Sequence, residues 1–161
     1  MEKTIIAKQV LEKLKTDLMR TIKQRDEAQQ EANSHVGAME SRYDTFKEEA
    51  QYLVSGCNKQ IEKLNKDIDI LTSFIMNSPA LKKKMETVEA GTLITVIKNN
   101  MEDYFLLLPV GGGSEIITDK KTIRIITLLT PLAKALLHKG CETITLSVDD
   151  DSHTITIINI E

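Results

Sequence analysis

Glu40 and Asp44 are spaced i and i+4, so once a helix has begun they share one face, and two carboxylates there could hold a divalent ion. The plainer reading of the same spacing is a solvated surface pair. His35, five residues earlier, could exchange a proton near neutral pH, although a histidine at a turn more simply faces water. Asp149-Asp150-Asp151-Ser152 lacks the DxDxDG register of a calcium loop, so a solvated turn is expected. Gly111-Gly112-Gly113 is not part of GxxxxGK[ST] and no helix pattern follows it, which leaves a flexible loop. Cys57 and Cys141 have neither CxxC nor Cys/His spacing, so they read as two partly buried free thiols. No catalytic constellation, metal site or cofactor is expected from these residues.

Composition narrows the class. The chain has 161 residues, 41% hydrophobic and 28% charged, which suits one globular domain or two small ones. Aromatic residues make up only 4%, with no Trp, which favours an elongated molecule over one large core built on aromatic anchors. A net charge of -3 and a pI near 5.7 remove the whole-chain electrostatic case for binding nucleic acid or an anionic membrane. No apolar stretch approaches the roughly 20 residues that span a bilayer, and MEKTIIAKQVLEKLK lacks a secretory h-region, so a cytoplasmic protein is expected.

The elements that must position these residues fall into two unlike halves. Up to Ile75 there is no Pro, and Lys, Glu, Gln and Ala predominate, all good helix formers. Tyr43, Phe46, Ala50, Leu53, Cys57, Ile61, Leu64, Ile68 and Leu71 recur in steps of three and four, the pattern of a coiled-coil seam. A weaker series runs through Ala7, Leu11, Leu14, Leu18, Ile22, Arg25, Ala28 and Ala32. The two series mirror each other. Leu11 pairs with Leu64, Leu14 with Ile61, Leu18 with Cys57, Ile22 with Leu53 and Ala32 with Tyr43, and every pair of numbers adds to 75. That symmetry predicts an antiparallel helical hairpin over 1–76 with its turn near 33–40, at Gly37, and a rod about 45 Å long. Residues 77–86, with Ser78-Pro79 and three lysines, read as a linker.

Residues 87–161 are rich in Thr, Ile and Val and hold five of the seven glycines. Strands are predicted at 92–97, 104–110, 122–128, 142–148 and 154–160, with the first turn over Lys98–Asp103. A short helix, 131–138, opens with Thr130 as N-cap and Pro131 at its first position, and Gly140 is its expected stop. The fold class is α+β: a helical hairpin followed by a small, mostly antiparallel sheet carrying one helix.

The run Ile126-Thr127-Leu128-Leu129-Thr130-Pro131-Leu132-Ala133-Lys134-Ala135-Leu136-Leu137-His138-Lys139-Gly140 resembles a segment of bacterial Gre-type transcript cleavage factors. There a strand, Ser-Pro, an Arg-Ala-Leu helix and Gly-Lys precede two closing strands. Tyr43-Asp44-Thr45-Phe46-Lys47-Glu48-Glu49-Ala50 is similar to the segment that opens the second hairpin helix of that family. The order agrees over nearly the whole chain. The resemblance implies an FKBP-like second domain and bacterial RNA polymerase as partner, with the hairpin entering the secondary channel and nucleic acid met at most indirectly. It points to Thr130, Pro131, Lys134 and Lys139 as polymerase-binding candidates, and to His35, Val36, Gly37, Met39, Glu40, Tyr43 and Asp44 as the hairpin tip.

At that tip the family carries acids that hold a second Mg²⁺ for RNA hydrolysis. With Tyr43 as anchor, those positions fall on Val36 and Met39, which cannot ligate magnesium. The resemblance therefore implies a non-enzymatic factor, a monomer or weak dimer, that modulates elongation without strong cleavage stimulation. Two other classes stay open: an FKBP-type chaperone and a coiled-coil dimerisation protein. The first needs pocket aromatics, and the second half offers only Tyr104 and Phe105, neighbours directed to opposite faces of a strand.

Overall fold

The computed structural model describes residues 2–34, 40–118, 121–148 and 151–161, without the side chains of 32, 34, 40–47, 146–148 and 151–153. Two helices, α1 (Glu2–Ser34) and α2 (Glu40–Asn77), form the hairpin. The expected fold point between Gly37 and Ala38 lies outside the described residues. Buried positions recur every seven residues: Ala7, Leu14, Thr21 and Ala28 on α1, and Cys57, Leu64 and Leu71 on α2. Two expectations are corrected. Leu53 is 55% exposed, and Val54, one heptad before Ile61, is half-buried instead. Thr21 is buried where Ile22 was expected, and its hydroxyl donates to the Asp17 carbonyl at 2.8 Å, so it enters the seam with its polar atom paired. A strict seven-residue repeat selects Val54 and Thr21 over their neighbours, because the seam runs at 3.5 residues per turn.

The chain gathers into two compact units, Glu12–Asp69 and Met1–Leu11 with Ile70–Glu161. In the second, six strands form one sheet: β1 (Leu93–Lys98), β2 (Met101–Leu108), β3 (Glu115–Ile117), β4 (Thr122–Thr127), β5 (Thr143–Val148) and β6 (Asp151–Ile160), in the order β3-β4-β2-β1-β6-β5. The helix α3 (Pro131–Leu136) follows β4. The sheet is mixed, since β2 and β4 are parallel, Tyr104 opposite Ile123 and Leu107 opposite Ile126. The reason is β3, too short at three residues to show alternation in sequence. It pairs antiparallel with β4, carrying the chain back so that β4 runs in the direction of β2. The β1–β2 turn is also tighter than expected. Asn99 and Asn100 take φ of 52° and 61°, the left-handed pair of a two-residue hairpin, and the strands extend to Lys98 and Met101.

Both faces of the sheet are buried, which the expectation of a single covering helix did not include. One face carries Ile94, Val96, Phe105, Leu107, Ile126 and Ile157, packed with Ala133 and Leu136 of α3 and with Val88. The other carries Leu93, Leu106, Leu108, Ile123 and Ile125, all buried. The same unit holds buried Ile6, Ala7 and Val10 of α1, Leu71 and Ile75 of α2, and Ala80 and Leu81. Burying each such aliphatic side chain contributes about 1.5–3 kcal/mol. The first turn of α1 is tied down by Lys3, only 6% exposed, whose Nζ donates to the carbonyls of Ala80 at 2.5 Å and Lys83 at 2.7 Å. Burial lowers the Lys3 pKa from its ordinary value, and the negative charge of Glu161 opposes the shift.

Candidate partner-binding site

The corner between β4 and α3 is an exposed feature held rigidly from beneath. Thr130 donates its N–H to the Thr127 carbonyl at 3.0 Å and its hydroxyl to the same carbonyl at 2.9 Å. The Thr130 hydroxyl also accepts from the Ala133 N–H at 3.2 Å, and its carbonyl accepts from the Lys134 N–H at 3.1 Å. Thr130 is thus the N-cap expected of it, with Pro131 in the first turn where a missing N–H costs nothing. On this support Leu129 projects at 83% exposure, beside exposed Pro131 and Lys134. An apolar tip with an adjacent ammonium suits docking onto a protein surface.

The helix ends earlier than the predicted 131–138, and the residue that leaves it is not Gly140. Leu137 is the C-cap and His138 takes φ 62°. The cause is tertiary. The His138 N–H donates to the Val88 carbonyl and the Val88 N–H to the Lys139 carbonyl, both at 2.9 Å, drawing the chain away from the helix axis. Lys139 then pairs with Glu142 at 3.5 Å, which reduces the charge it presents. Of the four candidates on this domain, Thr130, Pro131 and Lys134 lie together at the start of α3, while Lys139 lies beyond its end.

Beyond the corner, sequence reading missed a charged cluster at the opposite ends of β2 and β4. The Arg124 guanidinium stands 3.3 Å from both Asp103 and Glu115. All three are solvent-accessible, so the pairs contribute little to stability. On the other face the Tyr104 hydroxyl donates to the Glu102 carboxylate, which raises the phenol pKa, and Lys121 Nζ lies 4.9 Å from the ring centroid. Alternation along β4 could have marked Arg124 as outward-facing, but its Glu115 partner depended on the unrecognised β3.

Of the tip candidates, His35, Val36, Gly37 and Met39 lie outside the described residues. Glu40, Tyr43 and Asp44 belong to α2, which begins at Glu40 and so places Glu40 and Asp44 one turn apart. Among the described residues no three His, Cys, Asp or Glu gather to hold a metal. Both cysteines are free thiols. Cys57 is buried in the hairpin seam, whereas Cys141 is exposed rather than partly buried, because it follows the chain's exit from α3. No described helix is long and apolar enough to cross a membrane.

No family model and no curated protein matches the chain. Solved structures do resemble it. One is the crystal structure of GreA factor homolog 1 (Gfh1) of Thermus thermophilus, 13% identical over 94% of each chain, with a TM-score of 0.37. Another, a structure of the transcription factor Gfh1, is 18% identical over 93% of this chain and 92% of that one, also with a TM-score of 0.37.

Proposed function

We propose that this protein is a Gre-like transcription factor that binds bacterial RNA polymerase near the secondary channel and modulates elongation without acting as an enzyme. The observation that carries the reading is the order of elements. A helical hairpin precedes the sheet, and β4, the Thr130-capped α3 and two closing strands follow one another in the order over which the residue resemblance runs. In this reading Thr130, Pro131 and Lys134, with Leu129 beside them, meet the polymerase, and the hairpin supplies reach. The tip then competes for the channel without promoting hydrolysis, since Val36 and Met39 offer no oxygen ligand for a second metal ion.

The prolyl isomerase alternative is disfavoured by its aromatics. Phe105 lies in the core and Tyr104 faces the other side beneath Lys121. Co-sedimentation of the full chain with core polymerase tests the proposal. Binding at micromolar concentration, weakened by Leu129→Asp, is expected, and no association would overturn it. In a stalled elongation complex the factor should leave the transcript intact. Robust Mg²⁺-dependent shortening, abolished by Glu40→Ala or Asp44→Ala, would refute the assignment of a non-cleaving tip.

A further inference from the structure

We propose that β5 is a docking edge for a second copy of this chain, the two β5 strands pairing antiparallel about a two-fold axis. β5 ends the sheet, and among the described residues no strand pairs with its outer side. Exposed edges are ordinarily blunted by charge, Pro, bulges or brevity. β5 has none of these: TITLSV carries no charge and no Pro, it runs for six residues, and its ladder with β6 is regular from Thr143 opposite Thr156 to Val148 opposite Asp151. The opposite edge, β3, is only three residues long and opens with Glu115, which is paired to Arg124.

The hydrogen-bond phase of the ladder shows which groups β5 offers. The Ile157 N–H donates to the Glu142 carbonyl at 2.9 Å, in register with the ladder, so Glu142 and Ile157 are a hydrogen-bonded pair. Bonded and non-bonded pairs alternate, which turns the backbone of Ile144 toward β6 and that of Thr143, Thr145 and Ser147 outward. Only another extended backbone matches donors and acceptors at that spacing. A second β5 does so symmetrically: Thr145 meets Thr145 and Thr143 meets Ser147, giving about six main-chain bonds. Directly opposite residues in an antiparallel pair share a face, so the hydroxyl-bearing positions align with each other, as do Ile144 and Leu146. One open edge and one blunted edge per chain close the assembly at two copies instead of propagating a fibre. The contact spans only about 20 Å of strand, so the association is weak and concentration-dependent.

Sedimentation velocity of the full chain from micromolar to millimolar concentration tests this. A reversible monomer–dimer equilibrium is expected, and it should be lost in Thr145→Pro, which removes an outward N–H while leaving the bonds to β6 in place. Amide exchange provides a readout that needs no variant. Thr143 and Thr145 amides should gain protection as concentration rises, while that of Ile144 stays protected throughout. A chain monomeric at every concentration, a dimer unaffected by Thr145→Pro, or Thr143 and Thr145 amides indifferent to concentration would each overturn the proposal.

Discussion

Replacing Gly111 with Ala should destabilise the sheet-bearing unit through one identified contact, because Val10 on α1 lies against the Gly111 backbone. Gly111 and Gly113 both adopt φ 81°, so a side chain at either position forces a left-handed conformation costing roughly 1–2 kcal/mol. Their surroundings differ. A Cβ on Gly113 would meet nothing within 4 Å, whereas one on Gly111 would stand 2.6 Å from Val10 Cγ1. Carbon atoms rest about 3.5–4.0 Å apart, so the overlap is about 1 Å. Val10 is fully buried and stiff at χ1, and overpacking of this kind costs about 1–3 kcal/mol. Gly111→Ala should therefore lose about 2–5 kcal/mol and Gly113→Ala about 1–2 kcal/mol.

Denaturant unfolding of the two variants, with Val10→Ala alone and combined with Gly111→Ala, isolates the contact. The double variant should be less destabilised than the sum of the singles by about 1–3 kcal/mol, since removing the Val10 methyls relieves the overlap. Equal losses for Gly111→Ala and Gly113→Ala, or strict additivity with Val10→Ala, would refute the packing of α1 on this turn.

Three further outcomes are expected. Thr130→Ala should cost about 1 kcal/mol by removing the α3 cap, with Thr130→Ser close to wild type in thermal unfolding. The folded-state pKa of Lys3 lies below its unfolded value, so between the two the unfolded chain binds more protons and stability rises with pH. Wild type measured against Lys3→Met should gain stability as pH rises from the folded pKa toward the unfolded lysine value of about 10.4, and lose that gain as pH falls back through the folded pKa; a flat or falling difference would contradict the buried ammonium. Ultraviolet titration should show one tyrosine ionising above the ordinary range, shifted downward in Glu102→Gln, because the carboxylate that accepts the Tyr104 proton is gone.

What could be read from the residues alone was whatever is encoded within a few residues of chain. The heptad spacing, the Thr130-Pro131 cap and the alternating strands expected at 92–97, 142–148 and 154–160 all belong to that class, and each has its element. β6 nevertheless begins at Asp151, inside the turn expected over Asp149–Ser152, because Asp151 and Ser152 continue the ladder opposite Val148 and Ser147. Errors of one position in the seam, Leu53 for Val54 and Ile22 for Thr21, arose because steps of three and four fit several phases until burial chooses one. The Asn-Asn turn is narrower than the Lys98–Asp103 turn expected, because Lys98 and Met101–Asp103, polar or exposed, nevertheless continue their strands.

The features that stayed hidden join residues far apart in the chain. Lys3 looks like any solvated lysine of an amphipathic helix, and only the folded chain brings the carbonyls of Ala80 and Lys83 to it, 77 and 80 residues away. The same holds for His138, whose left-handed backbone follows from pairing with Val88 when a glycine two residues later offered a local alternative. Burial of both sheet faces has this origin as well. Leu106, Leu107 and Leu108 form a run without alternation, the pattern of a strand covered on both sides, and the same compact unit holds buried residues from the two helix ends, Ile6, Ala7 and Val10 of α1 and Leu71 and Ile75 of α2. An unbroken apolar run in an otherwise alternating domain is thus the one local trace of a second covering layer, because a strand open to water on one face would keep a polar residue at every second position.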